Sequence, residues 1–210
     1  MLFLIALILA VGFSLLCGKA LKKYPYAFYG AAVIVTAATI VLAVSDLRSV
    51  PAFVNTYIIG LFTRGTFATA LWCVVMWTGA MPDSSVPIKK LVPIRGELSI
   101  FASILTLGHN LGFGRIYCAR MFADTGKMSI NQITASILTI IMLVIMIPLT
   151  VMSFPQIRRK MNAKIWKRIQ RTAYIFYGLI YIHVMTLCIP MAKAGREGYL
   201  FSVLYTALCL

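Results

Sequence analysis

Two histidines occur in the chain, and each lies inside a long apolar segment. His109 lies in LSIFASILTLGHNLGFG and His183 lies in TAYIFYGLIYIHVMTLC. An ionisable ring within a membrane span is costly and is retained where it has a partner or a function. Imidazole is a common axial ligand of haem iron, and a haem needs only two axial ligands because the porphyrin supplies the other four. The pair therefore predicts one haem clamped between two helices, with His109 and His183 as the metal ligands.

The composition is that of a membrane protein. The chain has 210 residues, of which 61% are hydrophobic and 12% charged, and its mean hydropathy is +0.91. A soluble domain is about half apolar and about a quarter charged, whereas a transmembrane helix needs about 20 consecutive apolar residues. We predict an all-α polytopic bundle of six to seven spans, the last one short: Leu2–Leu16, Phe28–Val44, Thr56–Ala80, Leu98–Ala119, Ile133–Phe154, Thr172–Met191 and Tyr199–Leu210.

The basic residues predict the orientation of these spans. The net charge is +15, from 20 Lys and Arg against 5 Asp and Glu. Thirteen of the cations lie in the loops after spans one, three and five, and six lie in the loops after spans two, four and six. Positive loops stay in the cytoplasm and contact anionic lipid headgroups. We therefore predict a multi-pass membrane protein with its N-terminus outside and its C-terminus inside, and no role in nucleic-acid binding.

This orientation puts the two histidines at one depth. Spans four and six then run in the same direction, and each histidine lies 11 residues past the start of its span, or about 16 Å at 1.5 Å per residue. Neither an acidic residue nor a pair of cysteines lies at that depth, so a zinc or mononuclear iron site is disfavoured. Arg64, in span three, and Arg115, six residues past His109, are candidate partners for the haem propionates. No catalytic residue is predicted.

Some of these residues have a second interpretation that the sequence leaves open. Arg64 also fits a side chain that snorkels to the headgroups. Gly108, Gly112 and Gly114 fit either the close approach of a flat macrocycle or the close packing of helices. The histidines themselves also fit two other functions. One is a transporter or channel with Arg64, His109 and His183 along a polar pathway, and the other is a structural membrane anchor.

Two stretches carry a resemblance to a known family. Arg95–His109 reads RGELSIFASILTLGH and Trp166–His183 reads WKRIQRTAYIFYGLIYIH. They resemble the two haem-helix motifs of the ferric reductase-like transmembrane domain, and most closely those of the haem-binding membrane subunit of bacterial periplasmic methionine sulfoxide reductase systems. That subunit carries R-x-x-L-G-L…H and W-x-R-L-H-R…H, whose spacing is kept here by Arg95, Leu98 and His109, and by Trp166, Arg168, Arg171 and His183. The resemblance covers residues 56–210, which are expected to form the haem-binding domain, with residues 1–55 as additional N-terminal spans.

The resemblance implies a b-type cytochrome of a bacterial inner membrane, with one haem b per chain. Arg95, Trp166 and Gln170 are added to the cofactor-binding set, although Gln170 stands where the second motif has histidine. No GxGxxG motif occurs, so we expect an electron-transfer subunit that lacks its own NAD(P)H or flavin domain. Electrons would come from a quinol or a partner subunit and pass to an extracytoplasmic flavoprotein, a reductase or ferric iron. A quinone or flavin as second cofactor is left open.

Overall fold

The protein is helical throughout the part of the chain that the structure describes. That structure is a computed structural model, and it describes residues 2–45, 47, 49–82, 85–195, 199, 203 and 207. No strand occurs among these residues, so the all-α prediction is confirmed. The α-helices are α1 (Leu2–Leu16), α2 (Gly18–Lys23), α3 (Pro25–Val44), α4 (Gly60–Thr63), α5 (Thr66–Ala80), α6 (Val86–Leu91), α7 (Arg95–His109), α8 (Arg115–Ala123), α9 (Ile130–Val151), α10 (Pro155–Arg158), α11 (Ala163–Gln170) and α12 (Thr172–Lys193).

Four helical runs are long and apolar enough to cross a membrane, and a bent helix pair makes a fifth. The runs are Pro25–Val44, Val86–Ala123, Ile130–Val151 and Ala163–Lys193, and the bent pair is Val54–Thr63 with Thr66–Ala80. Helix α1 is apolar but only 15 residues long. The described residues thus contain four to five candidate spans, where the sequence predicts six to seven. The predicted terminal segment, Tyr199–Leu210, lies outside the described residues except at three single positions.

The third predicted span, Thr56–Ala80, is not one straight helix. A π-helical segment, Val54–Ile59, leads into α4, and the axis then turns by 53° before α5. Gly65 lies at this break with φ of 69°. Side chains other than glycine are strained in this left-handed region. A span predicted from apolar composition does not reveal a single residue in the left-handed region, so the sequence predicts a continuous helix here.

The fourth span begins 12 residues earlier than its predicted start at Leu98. Its helical run starts at Val86, because Pro87 lies in the first turn of α6, where a missing N–H costs nothing. Pro93 is accommodated in a short 3₁₀ turn, Val92–Ile94, between α6 and α7. A second π-helical segment, Asn110–Gly114, directly follows His109 and separates α7 from α8. Such segments frequently mark functional sites within helices.

Helix α7 lies in the middle of the bundle. It packs against α3 and α5 and also contacts α9, whereas α12 packs mainly against α9. A Cβ on Gly108 would lie 3.2 Å from the Cα of Thr36, and a Cβ on Gly112 would lie 3.0 Å from the Cβ of Ala43. Both glycines therefore allow α3 to approach closely. The structure thus supports a role in close helix packing for Gly108 and Gly112.

Basic segments that are far apart in the sequence meet at one end of the bundle. Lys22 of α2 forms an ion pair of 2.5 Å with Glu97 of α7. Arg158 and Arg159, at the end of α10, line the same cavity as Lys22 and Arg95. We call this the basic end. It unites cations from the loops that follow the first, third and fifth predicted spans.

Candidate functional site

The two histidines come together from helices that do not pack closely on each other. His109 is the last residue of α7, and His183 lies in the middle of α12. The pair α7 and α12 is not among the closely packed helix pairs. Even so, the two imidazoles lie near enough to interact electrostatically. The fold therefore brings the two histidines, which are 74 residues apart in the sequence, into one neighbourhood.

The orientation of His109 is fixed by the end of α4. Its Nδ1 lies 2.7 Å from the backbone carbonyl oxygen of Thr63. A carbonyl oxygen only accepts hydrogen bonds, so Nδ1 carries the hydrogen and donates it. In a neutral ring, Nε2 then holds a free lone pair. Histidines that bind metals are commonly held in this way, by a carbonyl on the nitrogen that does not bind the metal.

Gly65 packs directly against the same ring. A Cβ built on Gly65 would lie 2.9 Å from Cγ and 3.1 Å from Cδ2 of His109. Cβ atoms essentially never come so close to another heavy atom, so only glycine leaves room for the ring here. The break between α4 and α5 therefore provides both the carbonyl that orients His109 and the space in which its ring lies.

His183 has a buried nitrogen without a partner. Its Nδ1 is shielded from solvent and makes no hydrogen bond in the described part of the chain, although the backbone carbonyl of Ala135 on α9 lies nearby. An unpaired buried polar atom costs free energy. On His109 the backbone carbonyl holds Nδ1, so the Ala135 carbonyl is the corresponding nearby acceptor for Nδ1 of His183, and Nε2 is the nitrogen that would be available to a metal.

The donor set limits which ligand fits. No group of three or more His, Cys, Asp or Glu side chains able to hold a metal ion occurs among the described residues. Two imidazoles alone are too few for a structural zinc site, which takes four protein ligands. They are sufficient for an iron whose other four ligands come from a porphyrin. The residues present therefore fit a haem.

Two arginines that lie near His109 in the fold or in the sequence have no acidic partner among the described residues. Arg64 lies at the break beside Gly65, and Arg115 begins α8, six residues past His109. Both are exposed, and neither forms an ion pair with a described residue. Their guanidinium groups are therefore free to bind anionic groups from outside the chain.

The other three predicted site residues lie elsewhere. Arg95, Trp166 and Gln170 line a cavity of about 630 Å³ at the basic end, and neither histidine lines it. Arg95 is 14 residues before His109 on α7, which is about 21 Å along a helix. The predicted set of seven is thus divided between two places, and a cofactor-binding role for these three residues stays a prediction.

Three residues near the histidines were not identified from the sequence. Thr63 and Gly65 hold the ring of His109, and Trp72 donates a hydrogen bond of 3.0 Å from its Nε1 to Thr106, three residues before His109. The sequence feature that could have revealed this break is the dipeptide Arg64–Gly65 in the middle of an apolar span. A glycine next to a charge at such a depth indicates a broken helix.

Comparisons with known proteins agree with the motifs. The family described as "Ferric reductase like transmembrane component" matches residues 64–181, a range that begins at Arg64 and ends two residues before His183. An uncharacterized protein of Treponema pallidum (strain Nichols) is 39% identical over 147 residues, which are 70% of this chain and 41% of that protein. The chain therefore spans less than half of that relative's length. No solved structure matches.

Proposed function

The chain belongs to the ferric reductase-like transmembrane component family, and we propose that it is a membrane b-type cytochrome with one bis-histidine haem b. The observation that carries the proposal is the histidine pair. His109 is oriented by the Thr63 carbonyl with Nε2 free, and His183, on another helix, lies near enough to interact with it electrostatically. A haem held there supplies one-electron redox chemistry.

The residues around the pair would each do a different part of the binding. His109 and His183 would hold the iron from two helices, while Thr63 and Gly65 fix the angle of the first ring. Arg64 and Arg115 would bind the propionates, because both are exposed cations without an acidic partner among the described residues. The apolar side chains of the surrounding spans would give the site a low polarity, which is one means by which a protein sets the potential of a haem.

We propose that electrons move from the cytoplasmic side towards the outer face of a bacterial inner membrane. The orientation follows from the charge bias of the loops, and it is supported by the meeting of Lys22, Arg95 and Arg158 at one end. The donor would be a quinol or a partner subunit. The acceptor would be an extracytoplasmic flavoprotein, a reductase or ferric iron.

A finer assignment concerns the type of cytochrome. The two haem-helix motifs favour a likeness to the membrane subunit of periplasmic methionine sulfoxide reductase systems, with residues 56–210 as the haem-binding unit. Gln170 stands where that subunit has histidine, and this favours one haem over two. A bundle of six to seven spans, with α1 and the terminal segment included, is part of the same proposal.

The test is the haem content of histidine variants. We expect wild-type protein to purify with one haem per chain and a low-spin b-type reduced-minus-oxidised spectrum, and His109→Ala and His183→Ala to lose the low-spin spectrum. Thr186→Ala is the matched control, because this hydroxyl on α12 bonds only to the carbonyl of Ile182 on its own helix. A colourless wild-type protein, or variants with unchanged haem, would favour the transporter or anchor and reject the cytochrome.

A further inference from the structure

The cavity at the basic end carries far more positive than negative charge. Four cationic side chains line it, from Lys22, Arg95, Arg158 and Arg159, and the one acidic lining residue is Glu97. Glu97 is 8% exposed and already paired with Lys22. The three guanidinium groups that line this cavity of about 630 Å³ therefore have no carboxylate partner among the described residues. Like charges held together near low-dielectric walls repel each other unless an anion lies between them.

A donor without an acceptor lies at the same cavity. The indole Nε1 of Trp166 is buried and makes no hydrogen bond within the described residues. Its ring is held by the guanidinium of Arg158, which lies 4.5 Å from the ring centroid. Indole nitrogen is only a donor. The cavity therefore offers cationic groups and an N–H group that is not hydrogen-bonded within the described residues.

The apolar wall of the cavity also limits which ligand would fit, in addition to its positive charge. Its deeper wall is apolar or aromatic, with Trp72 and Phe176 in edge-to-face contact at 4.9 Å and Tyr177 beside them. Its exposed rim carries Arg158 and Arg159. A ligand that satisfies both parts has an anionic head at the rim and an apolar body below it.

We propose that this cavity binds a phosphate ester group. Guanidinium groups bind phosphate oxygens through paired, charge-assisted hydrogen bonds, and an indole N–H supplies one more donor. Two sources share this chemistry: the headgroup of an anionic phospholipid from the inner leaflet, and a soluble phosphate compound from the cytoplasm. The site is separate from the histidine pair, and it does not depend on whether that pair holds a haem.

The experiment uses the full chain in two arms. In the first arm, protein purified from membranes is examined by native mass spectrometry for retained phosphatidylglycerol. In the second arm, protein in phosphatidylcholine nanodiscs is titrated with inorganic phosphate against chloride at constant ionic strength, and the thermal midpoint is followed, because a ligand that binds only the folded state raises that midpoint.

The variants separate this cavity from general positive charge. The double variant Arg158→Gln/Arg159→Gln removes two cations from the exposed rim. Its matched control, Lys89→Gln/Lys90→Gln, removes two exposed cations of α6 that do not line the cavity. Trp166→Phe keeps the aromatic ring and removes the N–H donor.

Each outcome decides the proposal. A lipid source predicts phosphatidylglycerol retained by wild type and by the lysine control and lost from the arginine variant, with no phosphate effect. A soluble source predicts a phosphate-dependent midpoint in wild type and in the control, and an affinity weaker by at least about tenfold in the arginine variant. Trp166→Phe should weaken binding by about threefold to tenfold in whichever arm is positive. The proposal is overturned if neither arm is positive, or if the arginine and lysine variants behave alike.

Discussion

Replacement of Gly65 by alanine tests whether the break in the third span positions His109. The added methyl group has two separate effects. It places a Cβ on a backbone with φ of 69°, and it places that Cβ 2.9 Å from Cγ of His109. Ordinary van der Waals contact begins at 3.4 Å, so the ring has to move away by several tenths of an ångström or the backbone has to change.

The cost can be estimated from these two effects. A left-handed backbone costs a residue with a side chain about 1–2 kcal/mol, and overpacking of a filled site costs about 1–3 kcal/mol. We therefore expect Gly65→Ala to destabilise the protein by about 2–5 kcal/mol. Movement of the ring also lengthens the bond of 2.7 Å between Nδ1 and the Thr63 carbonyl, so the haem content and the low-spin spectrum should change as well.

Two glycines provide matched controls. Gly195 has the same φ of 69° but nothing within 4 Å of its Cβ position, so Gly195→Ala measures the backbone cost alone. Gly178 lies on α12 without a positive φ and also has nothing within 4 Å, so Gly178→Ala should be close to neutral. Thermal midpoint, haem per chain and the reduced-minus-oxidised spectrum are measured for all three variants.

One combination of results would refute a positioning role for Gly65. If Gly65→Ala loses no more stability than Gly195→Ala and keeps the wild-type haem content and spectrum, then contact with Gly65 does not position the ring of His109. A loss of haem in Gly195→Ala would also count against it, because that variant changes nothing near the histidines.

Two smaller changes test the packing between the helices. Lys22→Met leaves the carboxylate of Glu97, which is 8% exposed, without its partner, and should cost about 1–3 kcal/mol; Lys22→Met/Glu97→Gln should recover part of that loss in thermal unfolding, and an equally unstable double variant would contradict the role of the ion pair. Trp72→Phe removes the hydrogen bond to Thr106 and should cost about 1 kcal/mol. Trp77→Phe, which loses no hydrogen bond recorded in the described residues, is its control, and equal losses in the two variants would contradict the prediction.

The sequence predicts the helices well because membrane spans are a matter of composition. Apolar runs of about 20 residues have few alternatives in lipid, and the predicted spans Phe28–Val44 and Thr172–Met191 lie within observed helices. The prediction fails where a single residue determines where a helix begins or breaks. The fourth span is predicted to begin at Leu98, but Pro87 and Pro93 both lie in positions that tolerate proline, so its helical run begins at Val86.

The candidate site was only partly predictable for a related reason. His109 and His183 stand out because no other histidine competes with them. Thr63 and Gly65 do not stand out, because their importance comes from contacts with a residue 44 to 46 positions away in the chain. A backbone carbonyl has no signature in the sequence, and a glycine reveals a close contact only after the neighbouring helix is known.

One side chain, Trp72, contacts both the cavity at the basic end and the two helices that carry the histidines. Trp72 lines the cavity, donates to Thr106 one turn before His109, and contacts the ring of Phe176 on α12. Phe176 precedes His183 by seven residues, or about 10 Å along the helix. A ligand that shifts Trp72 therefore acts on both helices that carry the histidines. If the histidine pair holds the proposed haem, filling the cavity should consequently shift its spectrum, even though neither histidine lines the cavity.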